Sequence, residues 1–125
     1  MSERRVAVSH LKDATFEQGL REFFAYRDLG IATATGGHAV AHVIRANEAS
    51  ETVHAWHSHE TNFQMIYVLK GWAEFEYEGQ GLFRFETGSC FYQPPSVRHR
   101  EIAHSDDLEM LEIVLPGEFK TIEDA

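Results

Sequence analysis

His57 and His59 flank Ser58 just ahead of a strand-like run, and His99 follows Pro94 and Pro95 much later in the chain. Successive side chains of an extended chain point to opposite faces, so the imidazoles of His57 and His59 point the same way. Two imidazoles on one strand can grip one metal ion. A third from a distant strand would close the site and leave coordination positions open for water or substrate. Neutral imidazole suits Zn, Fe, Ni, Cu and Mn to different degrees. His10, His38, His42, His54 and His104 are read as surface or structural groups. His42 is the best placed spare, because its strand could face an interior.

Other chemistries find less support. Ser58 lacks the Gly-x-Ser-x-Gly elbow of a serine hydrolase. Cys90, beside Phe91, reads as a small buried hydrophobe rather than a nucleophile. Trp56 and Trp72 read as packing residues.

The elements that must position the histidines are short and strand-like, with turn residues between them, which suggests a β-sandwich or barrel. Strands are expected over Phe23 to Asp28, His38 to Arg45, Phe63 to Leu69, Cys90 to Gln93, Val97 to Ala103 and Leu108 to Leu115. The clearest alternation sets Glu74, Glu76 and Glu78 on one face and Ala73, Phe75 and Tyr77 on the other. Gly79-Gln80-Gly81 then turns the chain into Leu82 to Glu86, a hairpin with one wet face. The one helical candidate is Thr15 to Phe24, interrupted by Gly19. The chain from Pro116 onward is expected to be an exposed arm.

At 125 residues the chain is expected to be a single domain with a proper core. Hydrophobic content of 43% and charged content of 25% are ordinary globular values. A formal net charge of −9 argues against nucleic acid or an anionic membrane as partner. Cys90 is the only cysteine, so no internal disulfide is possible. Arg4 and Arg5 are not followed by an apolar segment of signal-peptide type, and Met65 to Leu69 is too short to cross a bilayer. A cytoplasmic location is the resulting expectation.

The spacings around the three histidines resemble the two motifs of the cupin family. His57-x-His59, four residues, Gln64, six residues and Gly71 follow the first motif, with Gln64 where glutamate is usual and Glu51 in place of the opening glycine. Gly88, five residues, Pro94-x-Ser96, two residues and His99 follow the second, with Ser96 in place of glycine and Ala103 in place of asparagine. Either motif alone is weak; together they are fairly specific.

The resemblance implies an all-β double-stranded β-helix, or jelly-roll, barrel. Its core would span about residues 36–115, with an N-terminal arm over 1–21 and a tail over 116–125. It also implies one divalent ion (Fe, Mn, Ni or Zn) held by His57, His59, Gln64 and His99. Because an amide is neutral, the bound ion would keep its full charge, with weaker retention and a higher redox potential than in a glutamate site. Strand parity points Ile66, Val68, Phe75 and Tyr77 into the pocket. It also points Glu101 inward as an acid/base candidate, against the alternative of a rim carboxylate or an ion pair with Arg84. Family members oxygenate, isomerise or decarboxylate small molecules, and others bind ligands without turnover. The expectation here is a metal-dependent oxygenase or other oxidoreductase acting on a small molecule. The alternatives are a sugar- or metabolite-binding sensor and a metal-dependent isomerase or lyase. A homodimer formed through the N-terminal strands is expected from the same resemblance.

Overall fold

The computed structural model describes residues 5–18 and 23–123. Eleven strands are present among the described residues, in two antiparallel sheets. The first sheet takes β1 (Glu17–Gln18), β2 (Phe24–Asp28), β3 (Val40–Ala46), β10 (Glu109–Leu115), β5 (Phe63–Lys70) and β8 (Cys90–Tyr92), in that spatial order. The second takes β11 (Lys120–Glu123), β4 (His57–Glu60), β9 (His99–His104), β6 (Trp72–Tyr77) and β7 (Gly81–Glu86). Facing antiparallel sheets joined in this order make a jelly roll, as the family resemblance implies.

Period-2 alternation decides which side chains enter the space between the sheets. On β5, Gln64, Ile66 and Val68 are buried while Tyr67 and Leu69 are exposed. Val68, Leu108 and Val114 are inaccessible to solvent. Burial of side chains of this size stabilises the fold by roughly 1.5–3 kcal/mol each. On β8, Phe91 enters the core, so Cys90 must face out; it is exposed, contrary to the buried setting expected for it.

The hairpin of β6 and β7 forms with Trp72 opposite Glu86 and Tyr77 opposite Gly81. The glutamates on its outer face are not merely solvated. Glu74 meets Arg84 at 3.2 Å, Glu76 meets Arg100 at 2.7 Å and Glu78 meets Arg98 at 2.5 Å. Arg98 and Arg100 also lie over the Trp56 ring, and Arg84 over Trp72.

Gly71 is the one residue between β5 and β6, at the corner where the chain leaves one sheet for the other. Its φ of 77° is left-handed, and a Cβ there would sit 2.9 Å from Leu108 Cα and also collide with Ser105. Only glycine meets both demands.

Two expectations fail at the ends. The helix expected over Thr15 to Phe24 is absent from its described residues, which form β1 and the start of β2; Gly19 to Glu22 lie outside the described residues. Pairing of Glu17–Gln18 with Tyr26 and Ala25 outweighs a weak helical pattern. A short helix, α1 (Ile31–Ala34), lies further along, ahead of the Gly36-Gly37 turn. The chain after Pro116 is exposed but not free. Its strand β11 pairs with β4, setting Thr121 opposite His59 and Glu123 opposite His57. No helix among the described residues is long and apolar enough to cross a membrane.

Candidate metal centre

His57 and His59 come from β4 and His99 from the first position of β9. His57 and His99 are direct cross-strand partners, and their ring centroids stand 4.3 Å apart. The loop before β9 is fixed by Ser96, whose backbone N–H donates to the His59 carbonyl at 3.0 Å. Ser96 has φ of 64°, so it occupies the left-handed conformation that explains glycine at this place in the motif. One ligand atom from each imidazole lies within 4.8 Å of the others, a grouping that could hold one metal ion once the rings turn slightly inward.

The backs of the three rings are tied down. Nδ1 of His57 meets the Ala55 carbonyl at 3.2 Å, and Nδ1 of His99 meets the Val97 carbonyl at 3.0 Å. Nδ1 of His59 meets the Thr121 hydroxyl at 2.9 Å. A carbonyl can only accept, so Nδ1 of His57 and His99 carries the proton and Nε2 keeps its lone pair. This is the outer-shell pattern that orients imidazole ligands. Burial pushes the His99 pKa down; the Val97 carbonyl opposes this, and His57 and His59 add repulsion. The net value is about 4. His99 is therefore neutral at ordinary pH, as a ligand must be. The donor set fits a divalent ion.

Gln64 is buried on β5 and shares a cavity with the three histidines. Its Nε2 donates to Glu112 Oε2 at 2.7 Å. The other oxygen of Glu112 meets His42 Nε2 at 2.6 Å. Glu112 lies on β10, in register with both His42 and Ile66. Burial raises the Glu112 pKa, but the His42 hydrogen bond and charge, the Gln64 N–H and the His59 charge outweigh it, and the net direction is down. The glutamate missing from position 64 thus has a carboxylate counterpart one strand away. Reading the motifs alone missed Glu112. Its alternation with Met110 and Val114, both buried, was the available signal. His42, set aside as structural, also faces this cavity.

Glu101 faces inward as parity predicts, but it is neither a rim carboxylate nor paired with Arg84. It meets His104 Nδ1 at 2.7 Å and lies 3.6 Å from His54 Nε2. Nε2 of His104 meets the Glu48 carbonyl at 2.8 Å. Both nitrogens of His104 therefore face acceptors, which only the imidazolium satisfies. Burial alone lowers the His104 pKa; the Glu101 hydrogen bond and charge and the Glu48 carbonyl reverse this, and the net direction is up. Burial likewise raises the Glu101 pKa, but the hydrogen bonds and charges of His104 and His54 bring it down overall. Glu101 is held as a carboxylate, suited to accepting a hydrogen bond rather than donating a proton.

The cavity measures about 590 Å³. Phe24, Ile44, Ile66, Phe75, Phe91 and Met110 form its apolar wall. Val68 and Tyr77, expected to line it, lie behind that wall. Val68 belongs to the packed core with Leu108 and Met110. Tyr77 stacks on His99 with centroids 5.6 Å apart and donates its hydroxyl to Gln93 at 2.5 Å. Both point inward, but sequence parity carries no information on depth along the barrel.

Solved structures of similar fold bear on this arrangement. KdgF from Halomonas sp. is 20% identical with a TM-score of 0.70, over 87% of this chain and 94% of that one. The polyketide cyclase RemF from Streptomyces resistomycificus is 18% identical with a TM-score of 0.76, over 99% and 87%. Oxalate decarboxylase from Bacillus subtilis is 16% identical with a TM-score of 0.70; the match covers 98% of this chain but 33% of that one. No curated protein sequence matches the chain. The family described as Cupin domain matches residues 44–115, more than half of the chain and the strands that bear His57, His59 and His99. The chain belongs to the cupin domain family.

Proposed function

We propose that this cupin is a metal-dependent enzyme acting on a small organic molecule, with His57, His59, Gln64 and His99 as ligands of one divalent ion. The observation that carries the proposal is the convergence of three imidazoles whose Nδ1 atoms are all engaged by oxygen, at a cavity with an apolar wall. A divalent ion bound there supplies Lewis acidity and open positions for substrate oxygens. The remaining work falls to the chain. Phe75, Phe91 and Ile66 exclude water and hold an apolar body. Glu101, kept ionised by His104, accepts a hydrogen bond from a hydroxyl or N–H of the bound molecule.

Two reaction classes follow. Oxygenation or another oxidoreductive step, with iron, manganese or nickel, is favoured by the apolar wall, which admits dioxygen. A redox-neutral isomerase or lyase reaction is favoured by the neutral Gln64, which leaves the divalent state the more stable one. A polyketide cyclase and an oxalate decarboxylase with Mn(II) centres are among the proteins of similar fold. The deciding experiment combines elemental analysis of untagged protein with turnover of enols, diketones and sugars in air and under argon. Oxygen uptake tied to substrate loss supports the first class; product formed equally under argon supports the second. Melting shifts without product from any of them would instead make the chain a binding or sensing module.

The same reading includes a homodimer formed through the N-terminal strands, where β1 is the edge of its sheet. Sedimentation as a monomer at micromolar concentration would remove this part.

A further inference from the structure

Gln64 is the one proposed ligand with two chemically different ends. Its amide can offer a metal ion either the oxygen, which binds, or the NH2, which does not. Nothing about the amide's own shape selects the right end. The selection must come from a neighbour.

Glu112 is that neighbour. Its Oε2 receives the Gln64 N–H at 2.7 Å and its Oε1 meets His42 Nε2 at 2.6 Å. An ionised carboxylate has no hydrogen to give, so the amide can only turn its nitrogen toward it. The oxygen end is then the one left for the cavity. His42 holds the carboxylate from the other side and is itself held edge-on by Tyr26, with centroids 5.4 Å apart. Glu112 and His42 are cross-strand partners, so the sheet register fixes the pair before any ligand arrives.

We infer that Glu112 is a positioning residue, which through its hydrogen bond to Gln64 presents the amide oxygen to the ion shared by His57, His59 and His99. The inference rests on the metal-site reading above. It gives His42 and Glu112 a role that neither motif assigns.

The test uses the full-length chain loaded with Co2+, read by its visible d–d absorption and by chelator competition. Glu112→Met removes the acceptor while keeping the bulk. It is expected to weaken Co2+ binding about tenfold or more and to alter the d–d bands as Gln64→Met does. The double variant Gln64→Met, Glu112→Met is expected to add nothing further. Glu112→Gln can turn either a donor or an acceptor toward Gln64, so it is expected to lose part of the affinity and to shift the d–d bands in the same direction. A wild-type spectrum and affinity in Glu112→Met, or additive losses in the double variant, would overturn the inference. Should Glu112→Met fail to fold, Glu112→Gln decides: weakened Co2+ binding with altered d–d bands supports the inference, and a wild-type spectrum and affinity overturn it. His99→Ala separates the two levels. Co2+ binding unaffected by that substitution sinks the metal site itself, whereas its loss there alongside a silent Glu112→Met sinks the inference alone.

Discussion

Thr121, on the last strand, holds its hydroxyl 2.9 Å from Nδ1 of His59. The segment after Pro116 thus reaches back to the proposed metal centre, and Phe119 packs edge-on against the same ring at 5.6 Å. Valine has the shape of threonine without the acceptor. Thr121→Val is expected to weaken metal binding by about tenfold with little change in the melting temperature of the metal-free protein. Equal affinities in a chelator competition would show that the strand contributes only pairing.

Gln64→Glu by itself would bring a second carboxylate against Glu112, across a gap that is now a 2.7 Å hydrogen bond. Two carboxylates so placed cannot both ionise freely, and one would retain a proton. The tighter metal binding that a glutamate ligand confers is therefore expected chiefly in the swapped pair Gln64→Glu, Glu112→Gln. That pair should bind about tenfold more tightly than the native protein, and the single substitution should gain less. A swapped variant no tighter than the native chain would argue against position 64 as a ligand.

The buried pair of His104 and Glu101 makes stability depend on pH from both sides. The His104 pKa is raised on folding, so its contribution is complete below the ordinary histidine range and is lost as pH climbs through the folded value. The Glu101 pKa is lowered, so its contribution is present above the ordinary carboxylate range and fades as pH falls through the folded value. Denaturant midpoints followed from about pH 6 to 9 should fall for the native chain relative to His104→Gln, which has no proton to lose. His104→Leu leaves the carboxylate buried without its cation and is expected to cost about 3–5 kcal/mol. Parallel pH profiles for the native chain and His104→Gln would contradict the imidazolium assignment.

Gly71→Ala combines a strained backbone with a Cβ 2.9 Å from Leu108 Cα. The expected loss is about 2–3 kcal/mol, from the left-handed backbone and the displaced corner together, or roughly a 10 °C fall in Tm. An unchanged melting curve would mean that the corner yields freely.

Much of the frame was legible in the residues. Alternation located β3, β6 and β7, an apolar run located β5, and turn residues bounded β8, β9 and β10; on β5 and β6 one face lies against the core, and burial imposes a period of two. His57 and His59 share a face for the same reason. Gln64, Ile66, Phe75 and Glu101 do face inward, as parity required. What linear order could not carry was which strands become neighbours. Glu112 stands beside Gln64 only because β10 pairs with β5, and Thr121 stands beside His59 only because β11 pairs with β4. β1 and β11 are short and exposed, so they left no hydrophobic signature, and pairing alone makes them strands. Parity told which way Val68 and Tyr77 point but not how deep they lie. Local chemistry set each side chain's direction. Contacts between segments distant in the chain set its partners, and those partners decide which groups are charged, neutral or turned to present a lone pair.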